Sequence, residues 1–192
     1  MPEIEYFYSA HSAFAYLGSA RFMEIAKAAG RTIVHKPYEL TRGIAGVGSV
    51  PTRERPQNHR AYYFRREIDR WSEHRNAPVM DGYPEHHWAD MTLSNGMLIA
   101  ASLQGANVDA LAHAMLQGHW RDDADLSNEA TLQALAQSVD VDPAPLLAAA
   151  LSDEVAAIYE ANTVEAIERS VFGSPTYFIE GDMFYGQDHL EM

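Results

Sequence analysis

The sequence predicts an α/β fold in which a mixed four-stranded sheet is interrupted by a large all-helical insertion. Three observations carry this: a strand–helix–strand opening, a long middle stretch of helical periodicity, and a late return to short aromatic runs around a turn. A helical domain flanked by unrelated β pieces would leave two short β fragments without a core, so two segments of one sheet explain the pattern better. The expected division puts residues 1–38 and 171–192 in one sheet-bearing domain, with a loop and the helical insertion over 39–170.

Residues 3–9, EIEYFYS, alternate polar and apolar before turning aromatic, which marks a core strand. From 12 to 29, Phe14, Leu17, Ala20, Phe22, Ile25, Ala26 and Ala29 recur at helical spacing, and Gly30 ends the run. TIVHKPY (32–38) is a second β-branched run, broken by Pro37, so a parallel right-handed crossover is expected. Residues 39–56 are punctuated by Gly, Pro and Ser and read as a loop. Within them GIAGVGSV (43–50) lacks the Gly-Lys-Ser/Thr ending of a phosphate loop and reads as a mobile lid or wall.

From 57 to about 75 the chain is helical and strongly charged, with Tyr63, Phe64, Ile68 and Trp71 spaced for burial. After a loop near 78–84, the segments 91–104, 107–120, 127–138 and 143–170 all read as helices. Pro143 and Pro145 fit the first turn of the last. SPTYFIEGDMFYGQD then sets Glu180-Gly181-Asp182 between two aromatic runs, a hairpin signal. The last residues open a closing helix that stops short at Met192, as expected of a chain whose native form is longer.

Lys plus Arg total 14 against 27 Asp plus Glu, a formal charge of −13 that argues against nucleic acid and anionic membranes as partners. MPEIEYFYS enters a strand directly, and no apolar run approaches the ~18 residues that span a bilayer, so a cytoplasmic protein is expected. There is no cysteine, which removes disulfides, thiolate metal sites and a cysteine nucleophile. Thiol chemistry in this protein therefore requires a thiol from elsewhere.

Ser12 stands where the first strand gives way to the first helix. A Ser there is a preferred N-cap, and the same junction aims backbone N–H groups and the positive dipole end outward, toward an anion or thiolate. Both roles can hold at once. In VFGSPTYFI, Pro175 precedes a strand; it reads as an ordinary loop Pro, with a cis Ser174-Pro175 bond as the alternative. His86 and His87 are adjacent and lack a matching cluster, so a metal site is not expected. RPQNHRAYYFRREIDR (55–70) is a basic island that reads mostly as a solvated helix face, with Arg42, Arg55 or Arg60 as the groups to attract an anionic carboxylate; Tyr83 is placed to line an aromatic pocket, whereas ordinary burial is the better reading of Trp88.

Taken in order, YFYSAHSAFAYLG, YYFRREIDRW, VFGSPTYFI and MFYGQDHLEM resemble the thioredoxin-fold family, in its disulfide-oxidase-like (DsbA-like) branch with a helical insertion. The likeness extends over nearly the whole chain. Laid on the two-cysteine motif of the oxidases, the cysteine positions are Ser12 and Ala15, so dithiol exchange, which needs both sulfurs, is excluded. The cysteine-free members of the branch are the kappa-class glutathione transferases and the 2-hydroxychromene-2-carboxylate isomerases.

That resemblance implies a glutathione-dependent isomerase, with small-molecule substrate, glutathione as cofactor, and a homodimer. The alternatives are a kappa-like glutathione transferase and a non-catalytic binding module. It implies that the Ser12 hydroxyl bonds the glutathione sulfur and that Ser174, before Pro175, pairs with the cysteinyl unit. Tyr185, Gly186, Gln187 and Asp188 would meet the γ-glutamyl end; the substrate candidates Arg42, Arg60 and Tyr83 rest on their own charge and aromatic character. Three departures stand out: Ala13 where the family has Pro, Asp188-His189 where it has Asp-Arg, and Arg60 where many members have Lys.

Overall fold

The computed structural model describes residues 2–192. Strand β1 (Glu3–Tyr8) leads through helix α1 (Ala13–Ala28) to β2 (Thr32–Pro37), the expected βαβ opening. The return segment supplies β3 (Thr176–Ile179) and β4 (Asp182–Tyr185), and the sheet runs in the order β2-β1-β3-β4. β1 pairs parallel to β2 and antiparallel to β3, and β3 pairs antiparallel to β4, so the sheet is mixed. The hairpin between β3 and β4 turns on two residues, Glu180 (φ 56°) and Gly181 (φ 88°), both left-handed as a tight primed turn demands. Asp182 belongs to β4 rather than to the turn.

Both faces of β1 are covered, which explains its unbroken aromatic run Tyr6, Phe7, Tyr8. On one face Tyr6 stacks between Tyr8, at 4.1 Å, and Tyr177, at 5.3 Å, and this face joins the main core. On the other, Phe7 meets Tyr38 and Phe178 in a smaller cluster closed by Ala166 and Val171. The Tyr8 hydroxyl bonds His35 Nδ1 at 2.8 Å, and His35 Nε2 meets Asp109 at 2.7 Å, tying the sheet to the insertion.

The insertion holds α2 (Leu40–Gly46), α3 (Arg65–Arg75), α4 (Thr92–Leu103), α5 (Val108–Asp122), α6 (Glu129–Gln137), α7 (Pro143–Ala149) and α8 (Asp153–Glu168). Three expectations about helices need correction. The segment 39–56, expected as a loop, contains α2, because the Glu39 carboxylate caps its start by accepting from the Thr41 and Arg42 N–H groups. The single helix expected over 143–170 is two, because Ser152 accepts from Val155 N–H and starts α8 afresh. The closing helix is only a 3₁₀ turn, Gln187–His189.

The charged helix begins with a wider π turn over His59–Phe64, and Tyr63, expected to be buried, is 54% exposed. No helix among the described residues is long and apolar enough to cross a membrane.

The register fixes where a site can form. Phe7 pairs with Thr176 and Thr176 with Tyr185, so the end of β1, the start of β3 and the end of β4 lie at one edge of the sheet. The N-terminus of α1 rises from that edge. Helix α4 reaches it by packing tightly on the turn after α7: a Cβ on Gly96 would lie 2.1 Å from the Ala150 carbonyl oxygen. Gly96→Ala should therefore cost about 1–3 kcal/mol, lowering the thermal midpoint by roughly 3–10 °C. A melt unchanged within 1 °C would show that α4 can shift without loss.

Candidate active site

The loop Ser9–Ser12 is held by groups that come from three distant parts of the chain. Asn95 on α4 accepts from Ala10 N–H at 3.0 Å and donates to Ser9 Oγ at 3.1 Å. Trp120 on α5 donates its indole N–H to the His11 carbonyl at 2.8 Å. Ser174 Oγ accepts from Ser9 N–H at 3.2 Å. Asn95 and Trp120 are fully buried, so the loop is anchored in the core rather than by surface contacts.

Ser12 is N-cap of α1: its Oγ accepts from Ala15 N–H at 3.3 Å, as the helix pattern predicts. The same oxygen donates its proton to the Ser174 carbonyl at 3.0 Å. The Ser174-Pro175 peptide bond is cis, the alternative left open by the sequence. Ser12 and Ser174 thus meet at the mouth of α1, where the helix dipole favours negative charge.

Beyond Pro175, Gly186 N–H donates to the Pro175 carbonyl at 2.9 Å and brings Tyr185, Gly186, Gln187 and Asp188 to the same rim. Gly186 has φ +95°, and a Cβ there would sit 2.3 Å from Asp188 Oδ1, so only glycine lets the carboxylate fold over the turn. Gln187 is buried, and both its side-chain and main-chain oxygens accept from Arg75, at 3.1 and 3.0 Å. Its side chain is a fastening for the turn. Asp188 is exposed and open to the cleft.

These groups line a cleft of about 1020 Å³ between the sheet edge and the insertion. Arg42 lines it, but its guanidinium is held by Glu160 in two bonds of 2.5 and 2.6 Å. Arg53 and Arg55 also line it, and among the described residues neither forms a salt bridge. Arg60 and Tyr83 stand behind this wall: Arg60 Nε donates to the Arg55 carbonyl at 3.0 Å, and the Tyr83 hydroxyl to the Arg60 carbonyl at 3.3 Å. Trp88, expected to be buried, is 47% exposed and lines the cleft beneath Arg53.

The most concentrated chemistry of the wall is a cluster of histidines. His11 and His87 line the cleft with ring centroids 5.2 Å apart, and His87 Nδ1 bonds buried His119 Nε2 at 3.0 Å. Burial first, then the neighbouring imidazoles, hold His11 down at about 3 and His87 at about 2. His119 is likewise lowered by burial, against the pull of the Ala124 carbonyl and Asp123 and Asp125. His87 was visible only as half of a His-His pair, and nothing local links it to positions 11 and 119. Asn95 and Trp120 gave only helical periodicity.

The sequence profile of the DSBA-like thioredoxin domain matches residues 3–192. A 2-hydroxychromene-2-carboxylate isomerase of Pseudomonas putida is 25% identical over 191 residues, covering 98% of this chain and 91% of the relative. Among solved structures, a 2-hydroxychromene-2-carboxylate isomerase superposes with TM-score 0.84 at 22% identity, covering 99% of this chain and 91% of that one. The cytosolic disulfide reductase DsbM from Pseudomonas aeruginosa, solved with GSH, superposes with TM-score 0.68 at 14% identity, covering 95% and 88%.

The histidine cluster generates a test of stability against pH. The folded-state values of His11 and His87 lie below the unfolded value of about 6.5, so the unfolded chain binds more protons beneath that pH. Stability from these residues is complete above about pH 6.5 and is lost as the pH falls toward their folded values. His87→Leu should flatten the dependence of unfolding free energy on pH between about 6.5 and 4.5 by about one proton, read from urea melts. An unchanged slope would mean that His87 titrates alike in both states.

Proposed function

The chain belongs to the DSBA-like thioredoxin domain family, and we propose that it is a glutathione-dependent cis–trans isomerase of an unsaturated aromatic carboxylate, like the isomerases it resembles. One observation carries the reading. The site that places a nucleophilic cysteine in a dithiol enzyme presents here a serine hydroxyl, in a chain without any cysteine. A protein of this kind can hold a thiol and cannot supply one.

The residues present fit the tripeptide. Ser12 offers a hydroxyl at a helix N-terminus, which favours a thiolate. Ser174 offers a main-chain carbonyl at the open edge before β3, suited to pairing with an extended peptide. Asp188 offers an exposed carboxylate for an ammonium group. The cleft, at about 1020 Å³, is large enough for the tripeptide and a second small molecule.

When bound, glutathione supplies a nucleophilic sulfur whose reversible addition to a conjugated double bond permits rotation about that bond. The chain's residues do the rest. A hydroxyl has one proton, and the Ser12 proton is spent on the Ser174 carbonyl. Where a peptide N–H takes that carbonyl in place of the hydroxyl, the Ser12 proton turns toward the sulfur, and binding of the main chain is coupled to activation of the thiol. Arg53 and Arg55 meet a substrate carboxylate, because Arg42 is already neutralised by Glu160. Trp88 gives an aromatic ring a flat wall.

The test is turnover of 2-hydroxychromene-2-carboxylate with reduced glutathione, with free thiol titrated throughout. A constant thiol titre supports isomerisation; a falling one supports a kappa-like transferase. Glutathione that fails to bind at millimolar concentration by calorimetry would leave only a binding module with another ligand. Ser12→Ala should lose at least about 100-fold in kcat/KM while costing only about 1 kcal/mol of stability as a lost cap. A variant with near-normal activity would remove Ser12 from the mechanism.

A further inference from the structure

The hydrogen bonds around the three histidines fix where each proton sits. Asn95 Oδ1 accepts from a backbone N–H, so the amide orientation is set and its Nδ2 donates to Ser9 Oγ. The Ser9 hydroxyl accepts there; it is buried, and its only other partner among the described residues is His11 Nδ1 at 2.9 Å, which therefore takes its proton. His11 therefore carries its proton on Nε2. On the other side, His119 Nδ1 faces the Ala124 carbonyl at 3.0 Å, an obligate acceptor, so its proton is on Nδ1. Its Nε2 lone pair then receives the His87 Nδ1 proton, which leaves His87 Nε2 as a bare acceptor.

Neither His11 Nε2 nor His87 Nε2 has a hydrogen-bond partner among the described residues, and neither is a sealed atom. Both residues line the cleft, and His11 is bonded directly to Ser12 in the chain. The wall thus shows one donor and one acceptor of fixed identity, with rings about 5 Å apart. Trp88 lies 4.7 Å from His87 and lines the same cleft.

We propose that His11 and His87 are a substrate-reading pair: His11 Nε2–H donates to a carbonyl or enolate oxygen, and His87 Nε2 accepts from a hydroxyl on the same molecule. The assignment rests on the isomerase reading above and deepens it by giving two residues of the cleft wall the recognition of the substrate's oxygens. Burial keeps both imidazoles neutral at pH 7, so the donor and acceptor do not exchange roles there. A neutral imidazole N–H is a competent partner for developing negative charge on oxygen. No proton changes hands in this account. The pair selects and polarises.

Two measurements test it. Calorimetry without glutathione compares 2-hydroxycinnamate with cinnamate, which differ by one hydroxyl. The wild type should favour the hydroxylated acid by about tenfold, and His87→Leu should erase the preference. Equal affinities in the wild type, or an unchanged preference in the variant, would overturn the role of His87. With 2-hydroxychromene-2-carboxylate and glutathione, His11→Phe should lose about 100-fold in kcat with glutathione affinity within twofold, and His11→Gln, which keeps a donor near the Nε2 position, should recover at least tenfold. Activity of His11→Phe within threefold of wild type, or failure of Gln to recover more than Phe, would overturn the role of His11. Loss of glutathione binding in His11→Phe would move His11 to the cofactor and also overturn it. A wild type that neither binds glutathione nor isomerises would instead defeat the underlying reading, and is told apart by the glutathione titration alone.

Discussion

Ser12 Oγ donates to the carbonyl of Ser174, a residue 162 positions away, across 3.0 Å at the edge of the sheet. That bond joins the two segments of chain that build the sheet, at the point where both become a site. It also decides the chemistry available. The hydroxyl is already a cap for α1, and its single proton already has an acceptor, so at rest the Ser12 hydroxyl is satisfied within the chain. Under the proposed function, a ligand that draws the Ser12 proton to itself has to offer at least as good a set of bonds. An extended peptide bearing a thiol would do so twice, at the carbonyl and at the hydroxyl.

The helical insertion makes that exchange possible without disorder. Its buried side chains Asn95 and Trp120 hold the 9–12 loop from the interior, where losing a partner strands a buried polar group at about 1–3 kcal/mol. The loop can therefore give up its bond to Ser174 and keep its shape. The surface ion pairs, such as Arg21–Glu191 and Arg121–Asp122, offer no such constraint. The insertion also builds the far wall: α2 and the segment after it bring Arg53 and Arg55, and the turns before α4 bring His87 and Trp88. The site is thus sheet on one side and insertion on the other, the division of labour expected when a stable core carries variable walls.

Much of the fold was legible in the sequence because its signals are local. The alternation of residues 3–9, the spacing from Phe14 to Ala29, and Glu180-Gly181 between aromatic runs each report their element from neighbouring residues. The errors have the same origin reversed. α2 escaped because its cap is a Glu ahead of a glycine-rich run, and the break at Ser152 hid inside a long apolar period. Ser12 was legible as a helix start, and Ser174 and Pro175 as the entry to a strand. That they touch is a matter of register, which one sequence does not print. The histidine pair was illegible for the same reason: positions 11, 87 and 119 share no period and meet only when α5 and the turn before α4 pack on the loop.

The most direct test is a crystal structure of the protein with reduced glutathione. The account predicts the sulfur within hydrogen-bond reach of Ser12 Oγ, the Ser12–Ser174 bond broken, and the Ser174 carbonyl paired with the cysteinyl N–H. Glutathione bound with its sulfur elsewhere, or Ser12 still donating to Ser174 in the complex, would contradict it.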